Sequence, residues 1–574
     1  MGKREIRFAE PKAPRGQQVL FAQYLDEVVV ADAPVRGMVR LLEEMDWSAW
    51  EQAYAGCGQP PIHPRYLAGA ILYGLVHKVR SSRALEDAAR NRLDFIWLLE
   101  GFTPDHSTFA NFRKRHRKAI KKLQKRVAEE LVMRREQALV QLLIDGTRLR
   151  ADSDRHGART AKTVERIIAE LEQRMAELER GDAQNAAVQT EGLAEPAPEA
   201  DPIQIHEQIA RLENELAKYQ RALEVVRERD TRARAHDGKN ARPVRVPITD
   251  PESHILPNKE GGFAPNYTPV AAIEPQTGAI VYADVLEGSD EASAVMPAVE
   301  AAEALTGQKA DAVVADGNFA TGGVLEQLDE HGTEAYMPTG AARPDDNPAI
   351  RPDPTQPVAE ADRAKLPKHG KYLARTAFSY DAQSDIYYCP MGHTLAPYKH
   401  GNNKDGVSCT YYRANACRGC PLAADCVKGK KSLYRTLTRD AYEPLREATA
   451  HRMATPEGRA IYRIRAPGIE GLFGVIKAAL GIRRFMTRGL ANVRTEWAWI
   501  CTAYNLKKLL ALEARSACGR PKTAGTPPLF PQNGHCTHRR AAYGASFAHK
   551  TKHRVLRPIR TRGFGQYSQT AAAA

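Results

Sequence analysis

Two aspartates stand in similar settings that suit metal-assisted chemistry. Asp145, in "LIDGT", and Asp316, in "VVADGNF", each follow a short apolar run that predicts a buried strand, and glycine follows each at once. Residues at the carboxyl ends of strands in an open α/β sheet line the crevice where ligands bind. Strand-end Asp-Gly pairs also occur in ordinary turns, so neither aspartate identifies a site by itself.

A third carboxylate, Glu470, lies in "YRIRAPGIEGLFGVIK" among cationic and aromatic residues. Because it follows Pro467, we predict that it occupies the first turn of a helix. Lys477 falls on the same face of that helix, seven residues later. Tyr462 and Arg465 come from the helical segment before it. Glu470 could form a surface ion pair, or it could be a metal ligand beside groups that hold phosphate.

The segment before Asp145 is predicted to be helical. "HPRYLAGAILYGLVHKV" predicts one helix and "RALEDAARNRLDFIWLLEG" a second that ends at Gly101. A third helix is expected to begin with Ser107 or Thr108 as its N-cap. We assign residues 15–137 to a helical N-terminal DNA-binding domain.

The third helix is strongly basic. From Arg113 to Arg126 it carries nine Lys or Arg residues in fourteen and no acidic residue. A solvated helix face is the usual explanation of such a run. The missing acids favour contact with the phosphates of a nucleic acid instead. The candidate contact residues are Arg113, Lys114, Arg117 and Lys121.

Strands and helices alternate after Asp250, which argues for an α/β domain. Two long segments with apolar residues at alternating steps of four and three predict a helical hairpin over 161–235, inserted into that domain. Its apolar positions run from Val164 to Leu178 and from Ile205 to Val226. We expect this hairpin to act structurally or in self-association.

Five of the nine cysteines lie between positions 389 and 426. Their spacing suits a four-thiolate zinc site, with His393 or Cys409 as possible substitutes. The four candidate ligands are Cys389, Cys417, Cys420 and Cys426. Unliganded thiols or another metal are the alternatives, and a redox pair is disfavoured because no thioredoxin-like βαβ pattern surrounds the motif. The remaining four, Cys57, Cys501, Cys518 and Cys536, have no such spacing.

Length predicts two to four structural units, and composition is otherwise ordinary for a soluble protein. The 574 residues exceed what one core usually supports, and the formal net charge is +14. Eleven Lys or Arg and no acidic residue follow Glu513, so 514–574 is predicted to be a disordered basic tail. It could bind phosphates or be an inert extension. No apolar run is long enough for a membrane span or a secretory signal, so we expect a cytoplasmic protein.

The three carboxylate motifs, in this order, resemble the DDE transposases of bacterial insertion sequences. The block Y462-x2-R465-x4-E470-x6-K477 is similar to the branch with a Y-R-E-K signature, although that signature has three residues between Arg and Glu. The helical segment that contains "TPDHSTFANFRKRHRK" resembles the same branch's N-terminal domain. The resemblance extends over roughly residues 15–510.

The resemblance implies an α/β fold with a ribonuclease-H-like catalytic domain over 138–510. The 161–235 hairpin and a cysteine-rich segment at about 340–435 would interrupt it. Asp145, Asp316 and Glu470 would bind Mg²⁺ or Mn²⁺, and Tyr462, Arg465 and Lys477 would contact DNA. The expected partners are double-stranded DNA, as terminal inverted repeats and target, and a second copy of the chain. Two alternatives are a metal-dependent nuclease of the same fold and a DNA-binding protein that has lost catalysis.

Overall fold

The computed structural model describes residues 10, 24–54, 59–134, 141–191, 202–238, 241–258, 261–340, 347–403, 406–414, 416–428 and 432–517. All of them belong to one compact unit of the chain. The predicted basic tail lies outside the described residues, apart from its first four positions, which continue the last helix. Within the described part, no helix is both long enough and apolar enough to cross a membrane.

Short helices make up the first part of the described chain, as predicted. They are α1 (Leu25–Val28), α2 (Pro34–Glu43), α3 (Ser48–Glu51), α4 (Pro64–Val76), α5 (Ser82–Asn91), α6 (Leu93–Leu98), α7 (His106–Arg115) and α8 (Arg117–Val132). The second predicted helix is divided into α5 and α6, because Arg92 adopts an extended conformation with φ −111° and ψ 122°. The predicted N-cap of α7 is wrong by two or three positions. Asp105 is the cap, and its carboxylate accepts the N–H of Thr108 at 2.7 Å.

The middle of the chain forms a mixed sheet flanked by helices. In chain order its elements are β1 (Gln141–Gly146), β2 (Leu149–Arg150), β3 (Ala158–Arg159), α9 (Ala161–Glu191), α10 (Pro202–Asp237), β4 (Val246–Pro247), β5 (His254–Pro257), β6 (Phe263–Glu274), β7 (Ala279–Leu286), α11 (Val295–Thr306), β8 (Ala312–Val314), α12 (Gly322–His331) and β9 (Glu334–Tyr336). The main strands lie in the order β7–β6–β1–β8–β9. Strand β6 is antiparallel to β1 and β7, whereas β1, β8 and β9 are parallel.

The predicted helical hairpin corresponds to α9 and α10, which pack against each other. Val164, Ala222 and Val226 are fully buried at its base, and Arg227 pairs with Glu165 at 2.7 Å. Farther along, Ile205 is also buried, and Ile168 and the other predicted apolar positions that are described are half-buried. Helix α9 continues to residue 191, into the segment where the sequence predicted the connector.

The cysteine-rich segment contains more regular structure than its sequence suggests. It comprises β10 (Lys368–His369), β11 (Tyr372–Leu373), β12 (Ser379–Asp381), β13 (Ile386–Tyr388), β14 (Thr394–Asn402), β15 (Ser408–Ala414), α13 (Ala423–Cys426) and β16 (Thr436–Asp440). Strands β12 to β16 form an antiparallel sheet in chain order. This sheet encloses a small core of its own around Phe378, Tyr387 and Tyr412.

The chain then returns to the central sheet through a broken helical run. The elements are α14 (Glu443–Ala454), α15 (Pro456–Arg463), a π-helical turn (Ala466–Glu470), α16 (Gly471–Gly474), a second π-helical turn (Val475–Ala479) and α17 (Leu490–Ala517). Pro467 therefore lies inside the run and does not begin a helix, contrary to the prediction. Proline lacks the N–H of a regular helical bond and its ring collides with the preceding turn, which accounts for a distorted turn at this point.

Helix α17 joins the N-terminal helices to the sheet. It packs against α8, α4 and β7, so the helices and the sheet share one hydrophobic core. The buried side-chain amide of Asn505 accepts the N–H of Ile280 at 2.9 Å and donates to its carbonyl at 3.0 Å. The indole N–H of Trp497 donates to the carbonyl of Val270 at 3.1 Å. These bonds fix α17 on β6 and β7.

Candidate active site

Parallel pairing of β1 with β8 brings two of the predicted carboxylates together. Leu143 pairs with Val314, and the same register extended by two residues sets Asp145 beside Asp316. Both side chains are oriented by backbone donors. Asp145 accepts the N–H of Gly146 at 2.8 Å, and Asp316 accepts the N–H of Asn318 at 2.8 Å.

Arg465 connects the two aspartates with Glu470. One terminal nitrogen of its guanidinium lies 3.1 Å from Asp145 Oδ2 and 3.8 Å from Asp316 Oδ2. The other donates to Glu470 Oε1 at 2.6 Å. The Arg465 side chain is 13% exposed, whereas that of Glu470 is 51% exposed. The three predicted carboxylates thus converge on one cation, and Glu470 is the member most open to solvent.

The π-helical turn explains how Arg465 reaches Glu470. The N–H of Glu470 is 3.4 Å from the carbonyl of Arg465, an i to i−5 relation. A turn of this kind contains one residue more than an α-helical turn. It therefore accommodates the additional residue between Arg465 and Glu470. Gly468 lets the turn approach β1 closely, because a Cβ there would collide with Leu143.

The other two residues of the predicted signature also lie at this end of the sheet. Lys477 donates to the hydroxyl of Thr147, two residues after Asp145. Tyr462 is partly buried against the main core. Burial raises its pKa, and the carboxylates of Asp316, Glu470 and Asp145 raise it further against the opposing effect of Arg465.

Glu291 is a fourth carboxylate at the site, which the sequence did not reveal. It precedes α11, is 9% exposed and lies so close to β1 that a Cβ on Gly146 would collide with its carboxylate. Asn318 donates a hydrogen bond to it. In the sequence, Glu291 looked like an ordinary polar residue at the start of a helix. The glycine after Asp145 was the available signal, since it marks a close approach to the strand.

Burial dominates the electrostatics of the two innermost carboxyl groups. It raises the pKa of Asp145, and the charge of Asp316 adds to this effect, while Arg465 and the N–H of Gly146 oppose it. Burial also raises the pKa of Glu291, with Asp316 as the next contributor. A bound cation would favour the charged form of both groups.

The donor chemistry fits a hard divalent cation. Carboxylate oxygens from two strand ends and one helical turn are the ligands that Mg²⁺ prefers, and the guanidinium of Arg465 already occupies the point on which they converge. With this guanidinium between them, the three carboxylates do not form a group that could hold a metal ion. Indeed, the described residues contain no group of three or more His, Cys, Asp or Glu side chains arranged to bind a metal.

The basic run divides into inward and outward residues. Arg113 donates to the carbonyl of Arg80 at 3.0 Å, and Arg117 donates to the side chain of Asn492 on α17. Lys114 and Lys121 are exposed. The first two residues connect the N-terminal helices to other elements, and the two lysines are available for a partner.

The four candidate cysteine ligands lie around one cavity of about 20 Å³. Cys389, Cys417, Cys420 and Cys426 all line it, together with His393. Cys409 lies elsewhere, on β15, where its thiol donates to the carbonyl of Val407 at 3.4 Å. Cys501 is buried within α17. Cys57, Cys518 and Cys536 fall outside the described residues.

Two family matches cover the two ends of this architecture. A transposase DDE domain family matches residues 388–510, which include the turn that carries Glu470. A transposase domain family, DUF772, matches residues 23–115 in the N-terminal helices. Comparison with curated proteins and with solved structures gives no significant match. Both matches are to transposase families, and in this order along one chain they indicate an insertion-sequence DDE transposase.

Proposed function

We propose that this chain cuts DNA at the ends of an insertion sequence and joins them to target DNA, using Asp145, Asp316 and Glu470. The observation that carries the proposal is the convergence of these three carboxylates on the guanidinium of Arg465. Sites that bind divalent cations need such a concentration of carboxylate oxygens at one point.

The sheet topology supports a ribonuclease-H-like catalytic domain over residues 138–510. An antiparallel meander, β7–β6–β1, continues into the parallel strands β8 and β9, which are reached through helices. The α9–α10 hairpin and the cysteine-rich segment would then be insertions in this domain. The hairpin lies between β1 and β8 in the chain, and the cysteine-rich segment lies between β8 and the turn that carries Glu470.

In the proposed reaction, residues of the chain would hold the cations and bind the phosphate. Divalent cations, when bound, would supply activation of the attacking hydroxyl and stabilisation of the leaving oxygen. Asp145 and Asp316, fixed by backbone N–H donors, and Glu470 would hold them. Arg465, released from the carboxylates, would bind a phosphate oxygen, for which its planar, forked donor geometry is suited.

The reaction would proceed as two in-line displacements at phosphorus. Water first attacks the phosphodiester at the element's end, and the bond to the 3′-oxygen breaks to leave a 3′-hydroxyl. That hydroxyl then attacks a phosphodiester of the target and displaces another 3′-oxygen. Lys477 and Tyr462, next to the carboxylates, would contact the DNA backbone or a base.

DNA binding by the N-terminal helices belongs to the same proposal. The exposed Lys114 and Lys121 are available to phosphates of the terminal inverted repeats. Holding two DNA ends together requires at least two copies of the chain if each copy binds one end. We therefore propose a dimer or a larger assembly on DNA.

Strand transfer tests the proposal. The purified protein is incubated with Mg²⁺, a plasmid target and duplexes that carry the inverted repeats from the DNA flanking its reading frame. We expect joined products with the wild type and none with Asp316→Asn or Asp145→Asn. Asp311→Asn is the matched control, since Asp311 is exposed at the opposite end of β8.

Each result separates the alternatives. Cutting without joining would indicate a nuclease of the same fold. Sequence-specific binding without either reaction would indicate a DNA-binding protein that has lost catalysis. Joining by Asp316→Asn at the wild-type rate would refute the assignment of the site.

A further inference from the structure

Four of the five cysteines in the cysteine-rich segment line one cavity. It brings Cys389, from the end of β13, next to three cysteines that follow β15 along the chain. Those three are separated by about as many residues as metal-binding turns require. Cys409 is absent from the lining and bonds to a carbonyl instead.

Backbone N–H groups point at two of these sulfurs. The N–H groups of Met391 and His393 donate to Cys389, and the N–H of Arg435 lies 3.4 Å from Cys417 Sγ. Gly392 has φ +81°, a conformation that residues with a side chain rarely adopt, and it closes the tight turn after Cys389. N–H donors around a sulfur stabilise its anionic form.

Arg435 places a positive charge beside the same thiols. It is 3% exposed, and its guanidinium donates to the carbonyls of Cys426 at 2.8 Å and Leu373 at 3.0 Å. Its titratable neighbours are the thiols of Cys426 and Cys417, its Cζ lies 5.2 Å from the centroid of the Phe378 ring, and its buried Nε has no hydrogen-bond partner in the structure. A buried cation surrounded by carbonyls, an aromatic ring and neutral thiols is costly. An anionic cluster in the cavity would offset that cost.

We propose that Cys389, Cys417, Cys420 and Cys426 bind one zinc ion as four thiolates, with Arg435 as the buried counter-charge. Four thiolates on Zn²⁺ carry a net charge of −2, so one guanidinium neutralises part of it. The four thiols release their protons to solvent on binding. In the structure the four thiols line the cavity but are not yet arranged as a metal site, and rotation of their side chains into the cavity would bring the sulfurs to the ion.

The site would stabilise a segment whose own core is small. The separate core of this segment contains Cys426, and Cys389 and Cys417 pack against it. Small cores commonly need a metal or another cross-link for stability. Zinc would add a direct cross-link between β13, the segment after β15 and the short helix α13.

Metal analysis of the full-length protein tests the site directly. We expect one zinc per chain after purification without chelators, and with Co²⁺ in its place the visible absorption and thiolate charge-transfer bands of a tetrahedral sulfur site. The double variant Cys417→Ser/Cys420→Ser should lose both signals. Cys409→Ser and Cys501→Ser are the matched controls and should keep them.

A second variant tests the counter-charge and avoids the loss of a ligand. Arg435→Met should weaken zinc binding about tenfold, as loss of a supporting residue typically does, whereas Arg413→Met on the exposed side of β15 should not. Affinity is measured by competition with a chromogenic chelator. Wild-type protein without zinc after reconstitution, or unchanged zinc content in the double variant, would overturn the proposal. Neither readout depends on DNA cleavage.

Discussion

Arg465 occupies the point on which the three carboxylates of the proposed site converge. Its guanidinium contacts all three carboxylates, and its Nε is buried without a hydrogen-bond partner in the structure. In the absence of divalent cations it relieves the repulsion between Asp145 and Asp316. Arg465 thus has two roles in our proposal, as a charge substitute within the site and as a phosphate ligand during the reaction.

We predict that Arg465→Met lowers the melting temperature in the presence of a chelator and increases the stabilisation by Mg²⁺. The variant leaves three carboxylates without their shared partner, so a divalent cation has more repulsion to relieve. Arg463→Met, an exposed neighbour on the same helical run, is the control. Melting curves with and without Mg²⁺ measure the effect, and an equal Mg²⁺ shift in both variants would contradict it.

Glu291 should influence cation binding at the same site. We predict that Glu291→Gln weakens Mn²⁺ binding about tenfold, within the range typical for residues that support metal ligands. The reason is loss of a buried negative charge next to Asp145 and Asp316. Electron paramagnetic resonance of Mn²⁺ measures binding without any turnover. Glu287→Gln, exposed four residues earlier, is the control, and identical titrations of the two variants would exclude this role.

At the scale of elements, the basic helix shows why a charge run is an incomplete guide to function. The break at His116 divides the predicted helix into α7 and α8. Arg113 and Arg117 then turn inward, and only part of the run stays exposed. The sequence indicated the charge density correctly. It could not indicate which residues would be used to join α8 to α17.

We predict that Lys121→Glu weakens binding to the inverted-repeat DNA and lowers the salt dependence of binding by about one ion per site. Lys121 is exposed on α8, so the substitution should leave the fold intact. Lys309→Glu, also exposed but next to the opposite end of β8, is the control. Fluorescence anisotropy at several salt concentrations measures both quantities. Unchanged affinity would remove Lys121 from the DNA-binding surface.

His116, at the junction of α7 and α8, should make the stability of the fold depend on pH in the acidic range. The residue is 2% exposed, and its ring packs on Trp50 and Phe112. Its Nε2 lies 3.2 Å from the hydroxyl of Tyr54, and Arg115 is its charged neighbour. Burial, with a further contribution from Arg115, lowers its pKa from 6.5 to about 4. Between these values the unfolded chain binds a proton that the folded chain does not.

The free energy of unfolding should therefore decrease as the pH falls from 6.5 to about 4. For this group the decrease is up to about 1.4 kcal/mol per pH unit. We predict a smaller decrease for His116→Gln, which cannot take up the proton. Melting temperatures across this pH range measure it. His156→Gln, at an exposed position, should follow the wild type. Parallel curves for all three proteins would contradict the assignment.

Sequence patterns predicted those elements whose periodicity reflects one buried face. Helix α4, the strands before Asp145 and Asp316 and the alternation of strands and helices after Asp250 were expected, and the two strand-end aspartates lie side by side. The sheet of the cysteine-rich segment was missed because its strands are short or, like β14, almost wholly exposed, which leaves no alternation to detect. The π-helical turn was missed because it arises from Pro467 and packing on β1.

At the scale of the molecule, one core supports both the N-terminal helices and the central sheet. Helix α17 contacts α2, α4, α8 and β7, and Trp499 packs on Trp50 with 5.8 Å between ring centroids. Residues far apart in the chain therefore hold the N-terminal helices and the sheet with the candidate site in one body. The hairpin of α9 and α10 differs from this body, because its fully buried side chains, Val164, Ala222 and Val226, lie at its base.

That difference makes the hairpin a candidate for self-association. Its outer part presents a half-buried apolar stripe, which includes Ile168, Leu171, Leu212 and Leu216. We predict that replacing residues 168–219 with a short Gly/Ser connection, which removes this stripe, leaves the melting temperature of the main body nearly unchanged, since the buried base remains. The shortened protein should still bind a single DNA end, but it should no longer form a complex that contains two ends.

Light scattering and gel-shift stoichiometry with one and two DNA ends measure these outcomes. The control exchanges Lys218 for Glu on the exposed face of α10, which retains the apolar stripe. If the shortened protein still pairs two ends, the hairpin does not mediate assembly. If its main body melts at a much lower temperature, the hairpin's role is structural, because stability then depends on contacts beyond the buried base.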